Sequence, residues 1–192
     1  MVVICIAGTS GAGTSFLVKQ LASKECLPAF FEGEVGTIPK EIFESVFNGE
    51  PPQKRCEWYV NRYIKNFNNA IAVSKSGIDC YVDGAPMTVY ANINLEKEKY
   101  IDDLIKIAKK VDNYNIDKII LLTISEERLR EFLEKRGRRE EPIEDTVARS
   151  LKLQEQLIAL SRKENNVIII DRSELDFSNV DDLNFVLDRI KE

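Results

Sequence analysis

Apolar residues in this 192-residue chain follow two spacings. Short unbroken runs at Val2 to Ala7, Leu27 to Phe31, Ile78 to Val82, Ile116 to Ile124 and Val167 to Asp171 read as buried strands. Between them, residues 14–23, 38–47, 54–75, 95–111, 125–136, 144–163 and 180–191 carry helical patterns. In the longest of these, Trp58, Tyr59, Tyr63, Phe67, Ala70 and Ile71 form an apolar stripe. Asn48-Gly49 with Pro51-Pro52 ends the helix before it, and Asp83-Gly84 closes the third strand. Strands alternating with helices predict an α/β fold of three layers, a parallel sheet with helices on both faces. In such sheets ligands bind beyond the carboxyl ends of the strands. No repeat, biased tract or linker divides the chain, so residues 1–192 are expected to form a single domain.

Composition narrows the chemistry. A net charge of -5 and a pI ≈ 5.1 give no basic footprint, so neither nucleic acid nor a membrane is expected as a partner. Met1-Val2-Val3-Ile4 carries no basic leader and no apolar run reaches membrane-spanning length, which predicts a cytoplasmic protein without a signal peptide. The four cysteines, Cys5, Cys26, Cys56 and Cys80, are dispersed and read as thiols rather than a disulfide framework. With no histidine in the chain, imidazole bases, His-dependent nucleophile triads and His-based zinc sites are excluded. Proton transfer falls to carboxylates, Lys, Tyr or Cys.

Residues 8–15 read GTSGAGTS, directly after the first strand and opening the first helix. Gly8, Gly13 and Ser15 fit the Walker pattern, and Gly11 adds a second flexible point. Glycines let backbone N–H groups converge on phosphates, and the helix adds its positive end. Gly8, Ser10, Gly11, Ala12, Gly13, Thr14 and Ser15 are thus the candidate nucleotide cradle, with the Ser15 hydroxyl offered to Mg²⁺. Thr14 stands where the pattern has Lys. A charge-assisted contact contributes about 1.5–3 kcal/mol. Its loss weakens binding unless arginines elsewhere supply the charge.

With KRGRREEPIEDTV at 135–147 and NVIIIDRSELDF at 166–177, the chain resembles the deoxynucleoside kinase branch of the P-loop nucleotide kinases. Members place an Arg-rich lid, an apolar strand ending in Asp, and a Leu-Asp-Phe turn in that order. FFE at 30–32 and Trp58 early in the long helix also match. The resemblance implies a five-stranded sheet of order 2-3-1-4-5 and phosphate transfer from ATP, with Mg²⁺, to a nucleoside or nucleotide. Glu32 matches the carboxylate that takes the proton from the sugar hydroxyl, and Glu34 is its alternative. Asp83 matches the acidic residue near Mg²⁺; the family's following arginine is replaced by Gly84. The family's base-reading aromatic-Gln pair falls at Arg62 and Tyr63, with Trp58 and Asn61 beside them as candidate substrate contacts. On helical periodicity alone, Trp58, Tyr59 and Tyr63 also read as core.

Arg136, Arg138 and Arg139 form the cationic cluster of the lid, expected over 135–145, with Arg136 and Arg139 foremost. Clustered guanidiniums clamp phosphates and stabilise transferring charge. The same resemblance implies that the segment Asp171 to Phe177, after the last strand, touches the adenine of ATP mostly through backbone, with Arg172 the candidate to stack on the purine. The family's members are often dimers, so a homodimer through helix 54–75 is an expectation by analogy. Two other readings stay open. One is a nucleoside monophosphate kinase, using Arg62 and the lid for the extra phosphate. The chain resembles archaeal-type cytidylate kinases in carrying Thr at the P-loop Lys position. The other is a nucleotide-binding module without catalysis.

Overall fold

The computed structural model describes residues 1–32, 38–114, 116–137 and 142–191. Strands β1 (Val3–Gly8), β2 (Ala29–Phe30), β3 (Cys80–Asp83), β4 (Lys118–Thr123) and β5 (Val167–Asp171) form one parallel sheet of order β2-β3-β1-β4-β5. The order anticipated from the family resemblance is the order found. β1 lies at the centre, its neighbours set by the pairs Ile4↔Tyr81 and Ile6↔Ile120.

Side chains alternate across a strand, so a central strand apolar at every position feeds two cores. Ile4 and Ile6 face helices α1 (Thr14–Glu25), α6 (Glu126–Arg136) and α8 (Val180–Lys191). Val3, Cys5 and Ala7 face α3 (Gln53–Lys75), α4 (Pro86–Ile93), α5 (Glu98–Ala108) and α7 (Ile143–Ser161). A short helix, α2 (Lys40–Glu44), precedes α3. The helix expected over 38–47 therefore shrinks to one turn and a half, because Pro39 and Asn48-Gly49 leave few residues between breakers.

One helix, α4, has no counterpart in the pattern reading. The run PMTVYANI is apolar on almost every side and carries no amphipathic period, since five of its residues are buried. Pro86 at its first turn was the available signal. The second strand is two residues long rather than the five of its apolar run. Among the described residues no helix is long and apolar enough to cross a membrane.

Candidate active site

Beyond the carboxyl ends of β1, β2 and β3 lies one cleft of about 610 Å³, within the range of small-molecule sites. Gly8, Ser10, Gly11, Gly13, Thr14 and Ser15 line it; Ala12 is fully buried behind the loop. The loop closes on itself through Ala12 N–H donating to Thr9 O at 3.0 Å. Gly11 and Gly13 have φ of 92° and 85°, the left-handed region that side chains avoid. Packing adds a second requirement at Gly13: a Cβ there would sit 2.1 Å from Arg172 Nη1.

Arg172 is the brace of this loop. It is buried, donates from Nη1 to Ala12 O at 2.7 Å, and packs against the rings of Phe132 and Phe177 at 4.3 and 4.4 Å. Burial, with Arg128 nearby, lowers its pKa to about 10, so it stays cationic near neutrality. The expectation that it stacks on a purine is corrected here. Its flat face is engaged by two phenylalanines, and its charge is turned to the loop backbone.

Asp83 ends β3, is 2% exposed, and accepts from Ser15 Oγ at 2.5 Å. It also accepts from the Thr14 hydroxyl and the Glu32 backbone N–H. Burial raises its pKa. No cationic side chain pairs with it among the described residues. A buried carboxylate beside a hydroxyl is an oxygen donor set suited to Mg²⁺, which commonly takes one or two carboxylates and completes its shell with water and phosphate.

Glu32 follows β2 and is fastened by α3. Tyr63 Oη donates to Glu32 Oε1 at 2.9 Å, Arg62 Nε to Glu32 O at 2.8 Å, and Asn66 Nδ2 to Phe31 O at 2.8 Å. Burial, then the Asp83 charge, push the Glu32 carboxyl up to about 7, against the Tyr63 hydrogen bond that lowers it. Glu32 and Asp83 thus line the same cleft, Asp83 directly against the P-loop hydroxyls of Ser15 and Thr14. Glu34 lies outside the described residues.

Tyr63 leaves no room for a side chain at position 84. Gly84 has φ of 96°, and a Cβ there would lie 2.2 Å from the Tyr63 ring. Tyr63 fills the space over residue 84 and turns its hydroxyl to Glu32.

The other three residues expected on the substrate do not reach the cleft. Helical rotation places Arg55, Cys56, Tyr59 and Tyr63 on its wall, while Trp58, Asn61 and Arg62 are not among its lining residues. Trp58 instead meets Tyr59 edge-on at 4.9 Å, Asn61 is exposed, and Arg62 holds the Glu32 backbone. In the lid region, Arg136 lines the cleft and reaches Ser10 Oγ at 3.4 Å from Nη2. Arg138 and Arg139, with most of the expected lid, lie outside the described residues. The helices flanking that segment are joined by the Arg130–Glu144 ion pair.

Sequence reasoning passed over a second charged group. Arg55 Nη2 donates to Glu96 Oε1 at 2.7 Å and Arg149 Nη2 to the same oxygen at 3.2 Å, and all three residues line the cleft. They are separated by 41 and 53 residues, and in sequence each resembles an ordinary solvated helix charge. Only the fold brings them together.

No family model matches the chain, and no curated protein matches it. Solved structures do. Deoxyadenosine kinase from M. mycoides with bound dATP superposes with a TM-score of 0.73 at 19% identity, covering 99% of this chain and 100% of that one. The same enzyme with bound dCTP gives 0.67 at 20%, covering 98% of each. Thymidylate kinase from Candida albicans gives 0.71 at 14%, covering 98% of this chain and 90% of that one. The fold is that of the P-loop kinases.

Proposed function

We propose that the protein phosphorylates a nucleoside, of the deoxynucleoside class, using Mg-ATP. The observation that carries this reading is the Glu32 carboxylate, held by Tyr63 at the end of β2 in the same cleft as the P-loop. A carboxylate there suits a neutral alcohol as acceptor, whereas a phosphate acceptor would be repelled by it and by Asp83. The solved structures of similar fold include kinases of deoxyadenosine and of thymidylate, which is consistent with either acceptor class.

In this reading the amides of residues 8–15 bind the β- and γ-phosphates, and the helix α1 dipole adds to their field. Mg²⁺, held through Ser15 and Asp83, supplies neutralisation of the phosphate charge when bound. Glu32 accepts the proton of the sugar hydroxyl as that oxygen forms its bond to the γ-phosphorus. The bond from the γ-phosphorus to the bridging oxygen breaks, and ADP leaves with the electron pair. A carboxyl poised near 7 is matched to that proton transfer, although positioning and charge contribute most of the acceleration. Arg136 stabilises the transferring group, joined by Arg139 from the lid. Arg172 fixes the loop and supplies a buried positive charge where the pattern's lysine is replaced by Thr14. A cytoplasmic setting and a homodimer through α3 complete the reading; sedimentation tests the latter.

The deciding experiment is transfer of labelled γ-phosphate to a panel of nucleosides, deoxynucleosides and monophosphates. Label on an uncharged nucleoside supports the reading. Label only on monophosphates replaces it with the monophosphate kinase, and triphosphate binding without transfer with a nucleotide-binding module.

A further inference from the structure

Along α3, Arg55 lies two turns, roughly 12 Å, from Tyr63. Arg55, Glu96 and Arg149 line the same cleft as Glu32, so a base carried by a nucleoside whose primary hydroxyl meets Glu32 is within their reach. That part of the cleft is built rather than incidental. Arg55 is 8% exposed and is pinned by Nη1 donating to Ser45 O at 2.6 Å and to Ser45 Oγ at 3.2 Å. Both guanidiniums use Glu96 Oε1, which leaves Oε2 without a protein donor among the described residues. Arg149 uses one Nη on Glu96, so its Nε and other Nη have no acceptor among the described residues. Thr88, 9% exposed on α4 and lining the same cleft, has a buried hydroxyl with no hydrogen-bond partner among the described residues. Buried polar groups are costly to leave unpaired, and an orphaned hydroxyl on a binding wall calls for a polar ligand.

We propose that Glu96, Arg149 and Thr88, oriented by Arg55, read the base of the acceptor and select one with an exocyclic amino group beside a ring acceptor, cytosine or adenine. The inference rests on the nucleoside-kinase reading. Glu96 Oε2 accepts from the amino group, as carboxylates do from cytosine N4, while Arg149 donates to the neighbouring ring nitrogen. Thymine presents its ring N–H between two carbonyl oxygens, whose lone pairs would meet the carboxylate. On guanine's Watson–Crick edge the amino group adjoins a ring N–H, a second donor facing the Arg149 donors, and its other neighbour, the acceptor N3, lies on the sugar side of the base. This set also replaces the aromatic-Gln pair that the chain lacks at 62–63.

Two measurements test it. In steady-state transfer from ATP to four deoxynucleosides, kcat/KM for deoxycytidine or deoxyadenosine should exceed that for thymidine and deoxyguanosine by at least tenfold. Glu96→Gln converts the acceptor into a donor with little change of shape, and should narrow that ratio tenfold or more while leaving ATP binding by calorimetry intact. A wild type that treats all four alike, or favours thymidine or deoxyguanosine, overturns the proposal. So does a variant that slows every acceptor equally, since that is a structural role. If Glu96→Gln does not fold, Arg149→Met must lower the same ratio at least tenfold, and an unchanged ratio overturns the proposal. Calorimetry with the free deoxynucleosides separates the two readings. No transfer to any acceptor, with amino-base-selective binding retained, sinks the kinase reading alone; unselective transfer sinks the base-reading site alone.

Discussion

At the scale of single residues, the centre of the site is a pair of carboxylates, Glu32 and Asp83, held by hydroxyl and backbone donors at the carboxyl ends of β2 and β3. Glu32→Gln is expected to lower transfer at least a hundredfold, the usual contribution of a general base, with triphosphate affinity preserved. Rates and calorimetry on the same preparation check it. The raised carboxyl also has a consequence for stability. In the magnesium-free protein its folded-state pKa is about 7, above the 4.5 of a free glutamate. The native state therefore holds the proton after the unfolded chain has released it. Stability is full below the ordinary carboxylate range and declines as pH rises towards 7. Melting temperatures from pH 5 to 8 should fall for the wild type and fall less for Glu32→Gln. Because the Tyr63 hydroxyl stabilises the ionised form, Tyr63→Phe should push the Glu32 pKa higher still, read by side-chain carbon NMR. A lower or unchanged value would mean that the hydroxyl does not hold the carboxylate.

At the scale of elements, two contacts between distant segments shape the cleft: α3 on the β3 end, and the turn after β5 on the P-loop. Gly84 meets the first. Its positive φ and the Tyr63 ring together leave no room for a side chain, so Gly84→Ala should destabilise by about 2–4 kcal/mol in denaturant titrations. Arg172 makes the second. Arg172→Ala removes a buried guanidinium that donates to the loop, and triphosphate affinity should fall roughly ten- to a hundredfold. Arg172→Lys should not restore it, because a point-like ammonium lacks the plane that packs against Phe132 and Phe177. Calorimetry with ATP measures both; full affinity in Arg172→Ala would remove the brace from the account.

At the scale of the whole molecule, one cleft holds the P-loop, Glu32 and Asp83, and the Arg55–Glu96–Arg149 cluster, walled by α3, α4 and α7. A ligand that joins ATP to a deoxynucleoside through its phosphates would engage the P-loop and the proposed acceptor site together. At a hundredfold excess over its Kd it should stabilise the fold by about 2.7 kcal/mol, read as a rise in melting temperature. At equal total concentration, the rise should exceed that from ATP and free nucleoside together, and a response no larger than that from ATP alone would mean the proposed acceptor site is not a nucleoside site. The strand cores, most of the helical spans and the glycine turn were legible in the sequence because each is written in local spacing: apolar runs, a 3.6-residue period, and glycines where φ is positive; α4, apolar without a period, was not. The strand order came from family resemblance, since spacing says nothing about which strands pair. The rotation of α3 was not legible. Apolar residues at 58, 59 and 63 share a stripe, and only packing against β3 and α5 decides which of them borders the cleft. Nor was the pairing of Tyr63 with Gly84, of Arg172 with the loop, or of Arg55 with Glu96 and Arg149. Each joins segments far apart in the chain, and the energy that selects such contacts comes from burial and charge in three dimensions. Local sequence therefore determined the framework and the glycine turn, whereas tertiary structure decided which side chains line the cleft.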